Sequence, residues 1–80
     1  VKLKTNDIIR VHGFVMLEGL EDDHRYRVKA ITPHYGNATY SFARPKGRKT
    51  VVRHLASSVD LWVSDESDPD LNKITVEKGT

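Results

Sequence analysis

The side chains with chemistry to offer are concentrated in one stretch. Between His24 and Val59 stand Arg25, Arg27, Lys29, Arg44, Lys46, Arg48, Lys49 and Arg53, with no Asp or Glu among them. This local charge of +8 sits in an 80-residue chain whose formal net charge is +2. The flanks are therefore acidic, at −2 over residues 1–23 and −4 over residues 60–80. Segregated charge creates a directed surface field, and Lys and Arg neutralise phosphates with release of counterions. Contacts of that kind position a nucleic acid without reading its bases. The competing interpretation is a set of solvated strand faces with the acidic ends folded back onto the basic middle.

Other chemistries find less material. His12, His24, His34 and His54 show no paired ligand spacing, and there is no cysteine, so no metal or other cofactor is expected. Asp22 and Asp23 are adjacent and point apart in an extended loop, and Ser57 and Ser58 lack a base close in sequence. No glycine-rich phosphate cradle is present, so an enzyme is not expected. Tyr35, next to His34, could stack on an unpaired base beside the cations. Packing on the rim of the fold is the simpler role for it, because no second aromatic clearly joins it. The acidic run over residues 65–70 reads as a solubilising linker, with competition for the basic face as the alternative.

Positioning these groups requires strands. Ile8 to His12 alternates, with Ile9 and Val11 on one face and Arg10 and His12 on the other. Arg25 to Ile31 alternates too. Period two puts Tyr26, Val28 and Ala30 inward and lines up Arg25, Arg27 and Lys29 outward. Pro33 assigns residues 32–37 to a turn or loop. Ala38 to Arg44 is a third strand with Tyr40 and Phe42 on one face. Pro45-Lys46-Gly47-Arg48 connects it to a fourth, Lys49 to Leu55, with Gly47 supplying special dihedrals. Ala56 to Asp60 is short enough for a single 3₁₀ turn. Leu61-Trp62-Val63 reads as a short fifth strand. Ile74 and Val76 suggest an extra C-terminal strand, placed beside Val1 to Thr5, itself a candidate edge. Phe14 to His24 reads as a long loop whose apolar residues close one end of the core and whose Glu21-Asp22-Asp23 tip faces solvent.

Eighty residues make one domain with one small core. The boundaries read as 1–63 for an all-β barrel, 64–70 for an acidic linker and 71–80 for the tail. No apolar run is long enough for a transmembrane helix or a secretory signal. Together with the missing cysteine this suggests a reducing, cytoplasmic setting, with association to a nucleoid as an option.

The order of elements resembles a five-stranded SH3-like barrel, and within that class the KOW-type domains of transcription elongation factors and ribosomal proteins. Asn6-Asp7-Ile8-Ile9-Arg10-Val11 is similar to the opening turn and strand of a KOW unit. Gly19 stands roughly where the KOW glycine falls, ahead of Tyr26-Arg27-Val28. Gly47-Arg48-Lys49-Thr50-Val51-Val52, followed by Ser57-Ser58-Val59, resembles the closing hairpin and helical turn. The likeness covers about residues 6–63. It departs where the loop before the second strand is long and acidic, where no glycine directly precedes Arg25, and where Asn6 replaces the common glycine. It implies non-catalytic binding to DNA, RNA or a nucleic-acid-bound protein machine.

The expectation is thus a nucleic-acid-binding module in transcription or genome regulation, with a phage-like size and style. Its contacts would be Arg25, Arg27, Lys29, Tyr35, Arg44, Lys46, Arg48, Lys49 and Arg53. The alternative is a protein-interaction module that docks on a polymerase or other partner through the Phe14–Leu20 loop and Trp62. The location of Phe14, Met16, Leu17 and Trp62 discriminates between the two. No membrane partner is expected, and the oligomeric state is open.

Overall fold

In the computed structural model of the chain, residues 2–13, 15–63 and 74–77 are described. The acidic run over residues 64–70, Val1 and Phe14 lie outside them. Five strands form one antiparallel sheet in the order β4-β3-β2-β1-β5. They are β1 (Ile8–Val11), β2 (Arg25–His34), β3 (Asn37–Ala43), β4 (Thr50–Leu55) and β5 (Ile74–Glu77), with one helix, α1 (Ala56–Asp60), between β4 and β5. The all-β expectation is met.

The apolar alternation builds the core as the pattern requires. Ile9, Val11, Val28, Tyr40, Phe42, Val59 and Ile74 are fully buried. Tyr40 and Phe42 meet edge-on at 5.8 Å. Burying each such side chain stabilises the fold by about 1.5–3 kcal/mol. The β1–β2 connection supplies Val15, Leu17 and Leu20 to the same core, as the loop reading expected. Tyr26 ties this loop down, since its hydroxyl donates to the Gly19 carbonyl and accepts from the Glu21 amide, each at 3.1 Å. Gly19 sits at φ +87° with its Cα against Val52, where a Cβ would come within 2.8 Å of Cγ2. Only glycine meets both demands.

Several local expectations are overturned. Lys29 lies at a bulge in β2, between the Val28–Phe42 and Ala30–Ser41 pairs. The extra residue inverts the alternation beyond it, so Ile31 packs on the core where Ala30 was expected. Pro33 is inside β2, not in a loop. It is tolerated because β1 pairs only with residues 25–27 of β2, which leaves the far half of that strand an edge on one side. The turn itself is the two residues Tyr35 and Gly36, at φ 43° and 77°, a type I′ pattern that follows the sheet twist.

Gly47 has no positive φ; it closes a turn by donating its amide to the Arg44 carbonyl at 2.9 Å. Residues 56–60 form one α-helical turn, not a 3₁₀ turn. Leu61 to Val63 makes no strand, only a parallel bridge from Val63 to Ile74. The fifth strand is Ile74–Glu77, and it pairs with β1, not with residues 2–5. Those residues form no strand. Leu3 is buried, and the Lys2 and Leu3 amides donate to the Tyr40 hydroxyl at 3.1 and 3.2 Å.

Candidate nucleic-acid interface

Residues paired across strands point to the same face, so the register decides where the cations stand. The core residues occupy one face of β2, β3 and β4. On the other face Ala30, Ser41 and Arg53 form one cross-strand row, and Thr32, Thr39 and Leu55 the next. The bulge turns Ala30 onto this face beside Lys29, whose Nζ donates to Thr50 Oγ1 at 3.3 Å. The result is a shallow trough of about 370 Å³ with Lys29 and Arg53 among its walls and Ala30 and Ser41 on its floor. Small floor residues admit close approach of a backbone, and the surrounding hydroxyls can donate to phosphate oxygens.

The row of three cations read from the sequence divides into three different situations. Arg25 is taken up by Glu77 of β5, with Nη2 2.6 Å from Oε2. Arg27 reaches across to the β3–β4 connection, where its Nη2 donates to the Gly47 carbonyl at 2.6 Å. Lys29 has no carboxylate partner among the described residues, nor do Arg44, Lys46, Arg48, Lys49 and Arg53. Arg10, on the same face of β1, is bound to Asp23. That hydrogen bond holds the Asp23 carboxyl below its ordinary range and the Arg10 guanidinium above its own.

Charge is therefore neutralised on the β1/β5 half of the outer face and left open on the β3/β4 half. The Arg27–Gly47 hydrogen bond joins the strand row to the basic connection. The hydroxyls of Thr32, Thr39, Ser41 and Thr50 were missed at the sequence level. The cross-strand register that gathers them is visible only once the bulges are placed.

Tyr35 is 97% exposed at the tip of the β2–β3 hairpin. It touches the His34 ring edge-on at 4.8 Å. It does not pack on the rim, contrary to the simpler expectation. It stands at the opposite end of β3 from the basic connection, roughly 20 Å away at the ordinary rise of an extended strand. Among the described residues, Met16, Leu17 and Trp62 form no contiguous exposed apolar patch, and Phe14 lies outside them. Leu17 is buried and Trp62 packs against the core, while Met16 is 78% exposed.

A second and larger concavity, of about 720 Å³, opens where the β1–β2 loop faces the β3–β4 connection. Among its lining residues are Glu21, His24, Tyr26, Arg44, Lys46 and Val51. The His24 ring stacks on Tyr26 at 6.4 Å and 27°. Val51 is the extra residue of a second bulge, between the Phe42–Val52 and Ala43–Thr50 pairs, and it is 46% exposed. Among the described residues no cluster of three or more His, Cys, Asp or Glu side chains could hold a metal ion. No helix of the described residues is long and apolar enough to cross a membrane. In comparisons with known proteins, the chain matches no family model, no curated protein and no solved structure.

Proposed function

We propose that this chain is a non-catalytic nucleic-acid-binding module built on a small SH3-like barrel, with the outer face of β2, β3 and β4 and the basic β3–β4 connection as its contact surface. The observation that carries the reading is the partition of charge. Lys29 and Arg53 line one trough without acidic partners among the described residues, and the hydrogen bond from Arg27 to Gly47 links that trough to Arg44, Lys46, Arg48 and Lys49. Acids elsewhere take up Arg10 and Arg25. A surface that neutralises Arg10 and Arg25 and, among the described residues, leaves these six cations without acidic partners is suited to a polyanion.

The barrel reading draws support from the strand order, from a ten-residue β2 shared between β1 and β3 with a bulge at its middle, and from the helical turn after β4. Overall extents of 30 × 29 × 25 Å suit a sheet that curls around its core better than a flat one. A KOW-like role in transcription or genome regulation follows from that resemblance alone. The protein-docking alternative is less favoured, because Leu17 and Trp62 are committed to the core.

The test is fluorescence anisotropy with labelled duplex DNA, single-stranded DNA and RNA across a salt series. Six phosphate contacts to duplex DNA correspond to a log–log salt slope near −5, a loss of about a thousandfold between 50 and 200 mM salt. Lys29→Ala combined with Arg53→Ala should flatten that slope by about 2. Affinity indifferent to salt and to this pair of substitutions would sink the proposal.

A further inference from the structure

The trough explains why phosphates would bind, but it does not use the larger concavity beside it. That concavity combines features a plain phosphate track does not need. Its volume of about 720 Å³ falls within the roughly 300–1,000 Å³ of small-molecule sites. Its walls include apolar surface from Val51 and the stacked rings of His24 and Tyr26. Val51 reaches it through a bulge, a device that re-aims a side chain, and stays half exposed although it is a β-branched residue in a strand. Arg44 and Lys46 of the basic connection contribute to the lining, without carboxylate partners among the described residues. Glu21 contributes a carboxylate on the opposite side, 3.5 Å from His24 Nε2.

An occupant must therefore be flat or compact and partly apolar. It must carry negative charge for Arg44 and Lys46 and offer N–H groups to Glu21. An acidic peptide meets the first charge requirement but would set its carboxylates against Glu21. A nucleotide meets both, because phosphate and base N–H donors sit at opposite ends of one unit. A base inside a duplex is stacked and paired and cannot enter, whereas an unpaired base can turn outward and stack on protein rings. Guanine presents two neighbouring N–H donors on one edge, the pattern a carboxylate accepts best.

Resting on the nucleic-acid reading above, we infer that the concavity between the β1–β2 loop and the β3–β4 connection takes one unpaired base of a single strand, with Arg44 and Lys46 on its phosphate, Val51 and His24 against its faces, and Glu21 accepting from a guanine edge. The chain then prefers single strands containing an unpaired guanine over duplex of the same sequence.

The experiment is an anisotropy titration of the full chain at low salt. The probes are an oligothymidine of about twelve nucleotides, long enough to cover one small binding domain, the same strand with one central guanine, and that strand annealed to its complement. The guanine strand should bind about tenfold tighter than the thymine strand, the low end of what one good base contact discriminates. It should also bind tighter than the duplex. Glu21→Gln should abolish the guanine advantage, read as the ratio of the two single-strand affinities. Val51→Ser, which removes the apolar wall without adding charge beside Arg44 and Lys46, should weaken both single strands more than the duplex, with an unchanged circular-dichroism spectrum showing that the fold persists.

Equal binding of duplex and single strand, or a guanine advantage that survives Glu21→Gln, overturns the base-pocket assignment while leaving the cationic face standing. No binding of any oligonucleotide by the folded chain overturns the nucleic-acid reading itself. Capture of an acidic peptide by a chain inert to all three probes overturns both.

Discussion

Tyr40 shows how much one hydroxyl organises in a small core. It accepts from the Lys2 and Leu3 amides and donates to Asp60 Oδ1 at 2.7 Å, joining the start of the chain, β3 and the end of α1. Burial pushes its pKa from the ordinary 10.0 to about 12, and the hydrogen bond to Asp60 pushes in the same direction. A raised pKa on a group that ionises to an anion makes the unfolded chain the better proton donor. Its contribution to stability should therefore be level below about pH 10 and fall as pH rises toward about 12. Tyr40→Phe should cost about 1–3 kcal/mol at neutral pH, because the buried Leu3 amide loses its acceptor. It should also flatten the alkaline limb. Thermal melts of both proteins from pH 7 upward check this, and an equally steep limb in the variant would remove Tyr40 as its cause.

At the level of elements, two bulges and one turn carry the functional geometry. Without the extra residue at Lys29, strict alternation would continue and Ile31 would leave the core. Without the extra residue at Val51, the β4 side chains would not divide between trough and concavity as they do. The β2–β3 turn raises a different question. A type I′ turn favours Asn-Gly, yet this chain places Tyr35 at φ 43° and leaves it 97% exposed. An aromatic ring kept in a strained position, without packing, is consistent with service at a surface. Tyr35→Asn should raise stability by about 1 kcal/mol, the low end of the strain a non-glycine residue bears there. It should also weaken single-strand binding through the loss of a stacking ring. A denaturant melt and an anisotropy titration of one variant read both effects; higher stability with unchanged affinity would leave Tyr35 no binding role.

For the whole molecule, β5 belongs to the fold although it stands far along the chain from the other strands. Ile74 is fully buried, and β5 pairs with β1 along four residues from Ile8 to Val11. Losing Ile74 alone would cost about 1.5–3 kcal/mol of burial. Losing the whole strand would also uncover Ile9 and Val11 and leave β1 paired on one side only. Stability at this size totals about 4–12 kcal/mol, so a chain cut after residue 63 should show no cooperative melt. A truncated chain that melts within a few degrees of the full one would make β5 an accessory. The same strand brings Glu77 to Arg25, so β5 both completes the sheet and neutralises part of the basic face.

The sequence by itself determined the inward residues of β1 and β3, the loop that closes the core and the location of the cations along the chain. Period-two alternation of apolar residues is a local signal, and charge needs only counting. Three matters waited for the tertiary structure. Bulges leave no mark in composition, because an extra residue is recognised only against its partner strand; hence strict alternation places Ala30 inward where the bulge turns it outward, and gives no sign that Val51 stands outside the pairing. The pairing of β5 with β1 spans more than sixty residues of chain, and local pattern offered Leu61–Val63 as an equally good strand. Ion pairing is a matter of proximity: Arg10, Arg25, Lys29 and Arg53 are alike as cations in a sequence, and only the folded sheet gives Asp23 and Glu77 to the first two and leaves the last two to the trough.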